Sequence, residues 1–90
     1  MAVRLDKYLQ LAGIIPRRTR AQEACSRGYV ELNGRAAKPA AAVSVGDRLS
    51  IRLGGRQSQY EVLTIPNRPV PKASRQDAAR LLETTVISED

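Results

Sequence analysis

Five basic residues near the start of the chain, Arg4, Lys7, Arg17, Arg18 and Arg20, have the types and spacing that suit phosphate recognition. A guanidinium forks two hydrogen bonds onto a phosphate, and a lysine adds a compact point charge. Arg17 and Arg18 fall at the entrance of a predicted helix, where unpaired backbone amides already favour an anion. Arg4 and Lys7, three apart, share one flank of an earlier predicted helix. Beyond a predicted turn, Arg35 and Lys38 extend the basic stripe. Residues 1–40 hold 8 basic and 3 acidic side chains, mostly at element ends, which is denser than an ordinary solvated face requires. Nucleic acid is the leading partner.

Other chemistries find no residues to carry them. The 90-residue chain has no His, Trp or Phe and one cysteine, Cys25, so a His-based triad, a zinc finger and a disulfide scaffold are excluded. Cys25 has no base to activate it and falls on an apolar helix face, where a free thiol packs as a small hydrophobe. The nine carboxylates stand one at a time, and the glycines make no phosphate-cradling loop of the GxxxxGK type. No catalytic residue, metal ligand or cofactor site is expected, and the chain is not read as an enzyme. Only three tyrosines, Tyr8, Tyr29 and Tyr60, are present, too few for a broad base-stacking platform. Tyr8 is expected in the core, and Tyr29 and Tyr60 on strands against cross-strand neighbours.

The net charge of +6 is uneven: residues 1–60 hold 11 basic and 4 acidic side chains, and residues 61–90 hold 4 and 5. The basic residues sit at helix starts and turns, not opposite a broad apolar helix face, so a membrane surface is not the expected partner. Met1–Asp6 does not resemble a signal peptide and no apolar run approaches a membrane span, so a cytoplasmic location is expected.

The elements that position the basic residues are legible. Leu5, Tyr8, Leu9, Ala12 and Ile15 form one stripe of a helix over Arg4–Ile14, with Asp6 in its first turn. Asp6 suits three roles there: holding Arg4, holding an arginine of the next helix, or capping. A second helix runs from Arg17 or Thr19 to Arg27, with Thr19 and Gln22 spaced as a capping box. Its inner face is Ala21, Ala24 and Cys25, and Gly28 reads as its C-terminal stop. From Tyr29 the period changes to two. Tyr29–Leu32 leads into Asn33-Gly34, a strong hairpin signal. Arg35–Ala42 is a loop or weak strand, Gly46-Asp47 a turn, Arg48–Leu53 an alternating strand, and Gln57–Ile65 a last strand after Gly54-Gly55. A short helix with Ala78, Leu81 and Leu82 on one side follows the prolines, and Thr84–Asp90 reads as frayed. The expected fold is α+β: two packed N-terminal helices on a small, mostly antiparallel sheet over residues 1–65. Residues 66–90 form a Pro-containing linker and short C-terminal helix or tail.

Arg4-Leu5-Asp6-Lys7-Tyr8-Leu9, Arg17-Arg18-Thr19-Arg20-Ala21, Gly28-Tyr29-Val30-Glu31-Leu32-Asn33-Gly34, Lys38-Pro39 and Val45-Gly46-Asp47 follow one another in order. This string resembles the RNA-binding domain named after ribosomal protein S-four, over roughly residues 3–53. Within that family it is most like the stand-alone bacterial group of ribosome quality control factor P and the small heat-shock S-four proteins. The resemblance implies a non-catalytic protein that binds rRNA and tRNA on stalled large ribosomal subunits carrying peptidyl-tRNA. A tRNA-recruiting quality-control factor is an implied further partner. The protein is expected to be ribosome-associated, and a monomer when free. By matching position, Arg4, Lys7, Arg17 and Arg18 would be the principal RNA contacts, with Thr19 or Arg20 beside them. Pro16 departs from the family's usual polar or basic residue, which implies one contact fewer. The slightly acidic residues 61–90 differ from the basic extension of the heat-shock relatives and favour the shorter type. Two other readings use the same surface: a ribosome-assembly or translation factor on rRNA, and an RNA-binding accessory subunit of an RNA-modifying enzyme that docks through residues 61–90.

Overall fold

The computed structural model describes residues 3–66, 68 and 78–86. Helices α1 (Leu5–Leu11) and α2 (Arg18–Ser26) pack on each other, and seven strands follow the expected α+β plan. These are β1 (Val3–Arg4), β2 (Val30–Leu32), β3 (Arg35–Ala36), β4 (Ala42–Val43), β5 (Arg48–Leu53), β6 (Arg56–Val62) and β7 (Ala79–Val86). They form a two-stranded sheet, β1-β4, and a five-stranded sheet in the order β3-β2-β5-β6-β7, with every pairing antiparallel.

The predicted stripe of Leu5, Tyr8, Leu9, Ala12 and Ile15 is buried throughout. It meets Ala21, Ala24 and Cys25 of α2 and Val30, Leu49, Ile51 and Val62 of the sheet in one core. Full burial of side chains such as Leu5 and Leu9 stabilises the fold by about 1.5–3 kcal/mol each. α1 stops at Leu11 instead of the expected Ile14, and the Ile15 amide turns back to the Leu9 carbonyl at 3.1 Å, which seats Ile15 in the core.

α2 ends as predicted. Gly28 adopts φ +78°, its amide donates to the Cys25 carbonyl at 3.0 Å, and the Tyr29 amide donates to the Ala24 carbonyl at 2.9 Å. That is a Schellman closure, and it satisfies carbonyls the helix would otherwise leave open. Asn33 and Gly34 take φ +52° and +85° between Leu32 and Arg35, the two left-handed residues of a type I′ hairpin. Asn33 also ties this turn to the next. Its carbonyl oxygen accepts the Arg48 amide at 2.9 Å, and its Nδ2 donates to Asp47 at 3.2 Å.

Four local expectations are corrected. Of the expected short C-terminal helix only Ala78 is helical among the described residues: Ala79–Val86, including Thr84–Val86 of the expected frayed end, is strand β7 against β6. Leu81 and Leu82 are adjacent residues that fit a helix or a strand by pattern, and pairing with β6 decides the matter. Residues 69–77, including Ser74 and Asp77 of that helix, and 87–90 lie outside the described residues. The last hairpin strand is Arg56–Val62, not Gln57–Ile65, because the Gly54-Gly55 turn brings Arg56 opposite Leu53. Thr19 and Gln22 form no capping box: Arg17 occupies the N-cap, with no side-chain cap bond. Finally, Tyr29 precedes β2 and is 40% exposed instead of packing on a cross-strand neighbour. Tyr60 does lie between Leu49 and Leu81 of its two neighbouring strands.

Candidate nucleic-acid interface

The helix corner is organised around a buried carboxylate. Asp6 has no solvent exposure, yet it accepts hydrogen bonds from four residues. Arg4 approaches side-on, with Nε 3.2 Å from Oδ1 and Nη2 3.4 Å from Oδ2. From α2, Arg18 Nε lies 3.3 Å and Gln22 Nε2 2.9 Å from Oδ2, and the Lys7 amide donates to Oδ1 at 2.8 Å. Burial by itself would raise the Asp6 carboxyl. The bonds from Gln22, Arg4, Arg18 and the Lys7 amide outweigh that and bring it from 3.8 down to about 2. Two of the roles open to Asp6 in the sequence, holding Arg4 and holding an arginine of α2, are therefore filled together. Arg18 and Gln22 are four apart on α2, so both face α1.

The guanidiniums of Arg4 and Arg18 remain 51% and 41% exposed at the side chain, so their outer edges stay available to an anion. Lys7 is exposed beside them. Lys38 joins this side through the backbone. Its neighbour Pro39 accepts the Asp6 amide at 3.1 Å, and Ala41 accepts the Leu5 amide at 2.8 Å. The first turn of α1 is thereby closed to a ligand. α2 differs: its first backbone bond runs from the Ala21 amide to the Arg17 carbonyl at 3.0 Å, leaving the amides of Arg18, Thr19 and Arg20 ahead of it. A helix start with three arginines and no side-chain cap is a ready anion site.

Not every predicted residue converges there. Arg17 and Arg20 line a groove with Ile14, Ile15, Pro16 and Leu53, around the corner from Arg18. Thr19 is exposed on α2, and Arg35 is exposed on the edge strand β3. Among the described residues, Lys7, Arg17, Arg20, Arg35 and Lys38 have no ion-pair partner. Gln22 was missed from sequence, although its i+4 relation to Arg18 was the available signal.

The remaining polar groups are structural. Tyr8 is fully buried, and its hydroxyl donates to the Ala78 carbonyl at 2.8 Å, so the core reading of this ring holds. Burial pushes its phenol up to about 12. Cys25 is buried as expected, and burial, with the negative charge of Asp6, pushes the thiol up to about 11. Among the described residues there is no cluster of metal-ligating side chains and no helix long and apolar enough to cross a membrane.

Residues 3–49 match the S4 domain family. The chain belongs to the S4 domain family. The match takes in α1, α2, the Asp6 cluster and the Asn33-Gly34 hairpin. One S4 relative, from Streptococcus pneumoniae, is named RQC P-site tRNA stabilizing factor. It is 37% identical over 87 residues, spanning 97% of this chain and 92% of the relative. A protein of the same name from Bacillus subtilis is 32% identical over 88 residues, spanning 98% and 95% of the two chains. The fold matches the trimeric structure of Vibrio cholerae Heat Shock Protein 15 with a TM-score of 0.84 at 28% identity. That match covers 91% of this S4 chain and 83% of the other.

Proposed function

We propose that this S4 protein binds rRNA and tRNA on stalled large ribosomal subunits carrying peptidyl-tRNA and acts without catalysis in ribosome-associated quality control. The observation that carries the reading is the Asp6 cluster, which holds Arg4 from the end of β1 and Arg18 from the start of α2 at one exposed corner. Near-full-length similarity to proteins named RQC P-site tRNA stabilizing factor supports RNA as the partner. The protein works as a clamp: Arg4, Lys7, Arg17, Arg18 and Lys38 neutralise phosphates, Thr19 and Arg20 flank them, and Arg35 extends the contact. With about five phosphates engaged, log K falls with log salt at a slope of roughly −3 to −5. A tRNA-recruiting quality-control factor acts beside it, and its place is the ribosome in the cytoplasm. Residues 1–65 carry the RNA contacts.

Sedimentation of cell lysate tests this reading. The protein should travel with large subunits that carry peptidyl-tRNA. Arg17→Ala combined with Arg18→Ala should release it, weakening RNA binding by about 2 kcal/mol or more, since each charge-assisted bond contributes ~1.5–3 kcal/mol. Wild-type ribosome association of the double variant would remove the corner from consideration. Recovery on assembly intermediates alone, or with a stoichiometric modifying enzyme, would favour the other readings of this surface.

A further inference from the structure

A second surface adjoins the helix corner and, apart from Arg20, takes no part in the proposed phosphate contacts. Tyr29 and Leu53, 40% and 44% exposed, line two neighbouring grooves together. One groove is walled by Arg20 in the first turn of α2 and Arg27 just past its end, the other by Arg52 and the Gly54-Gly55 turn. Leu53 also floors the groove of Arg17 and Arg20, so the surface runs without a break to the start of α2. The first two grooves measure about 350 and 420 Å³, within the ~300–1,000 Å³ of small-ligand clefts. An exposed ring and an exposed leucine in the middle of four arginines are poorly explained by folding. The backbone at Tyr29 is already satisfied, with its amide on Ala24 at 2.9 Å and its carbonyl accepting the Arg52 amide at 2.8 Å.

We infer that Tyr29 and Leu53 form a stacking subsite for one unpaired nucleobase of the bound RNA, with Arg27 and Arg52 on the flanking phosphates. The inference rests on the RNA-binding reading of the helix corner. The ring offers a flat π face, which any base can cover, and the guanidiniums on either side supply forked donors to the backbone. The one carboxylate in the grooves, Glu23, is 3.0 Å from Arg27 in an exposed i,i+4 pair, which holds Arg27 only weakly. The surface is therefore strongly cationic. Continuity with α2 through Arg17 and Arg20 favours the same RNA strand over a separate acidic protein.

The test uses the full chain and two RNA probes: a blunt hairpin, and the same hairpin with short unpaired overhangs at both ends. Wild-type protein should bind the overhang probe more tightly than the blunt one. Tyr29→Ala should cut that advantage by roughly 5- to 100-fold, the range for loss of one stacked base. Affinity for the blunt hairpin should stay unchanged, Tyr29→Phe should keep the advantage, and abasic overhangs should lose it with wild-type protein. Leu53→Ala should act in the same direction as Tyr29→Ala. Equal loss on both probes, or abasic overhangs that bind as well as intact ones, would overturn the stacking subsite. So would an oligoglutamate peptide whose binding depends on Tyr29 in the same way, which would assign the surface to an acidic protein. Failure of wild-type protein to bind the blunt hairpin would instead sink the RNA reading beneath it.

Discussion

Replacing Asp6 by Asn should separate the charge at the centre of the helix corner from its shape. The carboxyl is held at about 2 against an ordinary 3.8. At about 1.4 kcal/mol per pH decade, the ionised form contributes about 2 kcal/mol to folding at neutral pH. A depressed carboxyl stabilises the protein above its unfolded value, so this contribution is complete above about pH 5 and is lost as pH falls towards 2. Asn also turns an N–H group towards donors that met an oxygen before, which costs about another 1 kcal/mol. The exposed ends of Arg4 and Arg18 regain water, so the larger cost of stranding fully buried charges does not apply. The expected destabilisation is about 3 kcal/mol, a fall in Tm of roughly 12–24 °C for a domain of this size. Urea unfolding of both proteins between pH 7 and pH 2 measures it, and the gap between them should narrow by about 2 kcal/mol across that range. A gap under about 0.5 kcal/mol at pH 7, or one that stays constant down to pH 2, would refute the ion-pair argument. RNA affinity adds an independent readout. Asp6→Asn makes the protein one charge more positive, so weaker RNA binding would report lost positioning of Arg4 and Arg18, not lost attraction.

Four further outcomes are expected. Gly28→Ala should destabilise by about 1–2 kcal/mol in urea unfolding, purely from backbone strain at φ +78°, because a Cβ there meets nothing within 4 Å. Tyr8→Phe should cost about 1 kcal/mol and speed amide exchange at the start of β7. The Ala78 carbonyl it abandons still accepts the Leu63 and Thr64 amides at 2.9 and 3.2 Å, so no buried acceptor is orphaned. In wild type the raised Tyr8 phenol keeps its proton longer when folded than when unfolded, so stability should fall as pH climbs from 10 to about 12. Cys25 should resist a thiol-disulfide reagent in the native protein at pH 8 and react fully in denaturant, since its thiol is buried and raised to about 11.

Local signals made much of this protein legible before any contact was known. Helix periodicity located Leu5, Tyr8, Leu9, Ala12 and Ile15 in the core, and Gly28 and Asn33-Gly34 marked turns whose left-handed backbone few other residues accept. Such features depend on a few consecutive residues, and the same is true of the ordered S4 motif. Contacts between distant segments were decided by the tertiary structure alone. Gln22 suited a capping box as well as a bond to a residue sixteen positions earlier, and packing of α2 on α1 chose the bond. Arg17 and Arg18 are neighbours in sequence, but Arg17 is the extended N-cap and Arg18 the first helical residue, so Arg18 reaches Asp6 while Arg17 lines the Leu53 groove. Ala79–Val86 became a strand because β6 offered an edge, and Tyr29 met Leu53 because the β2–β5 register brought them together. The sequence by itself determined which charges this S4 protein carries and where the chain turns. Only the fold decided which charges share a carboxylate and which surround an exposed ring, because both depend on the meeting of segments that no local pattern connects.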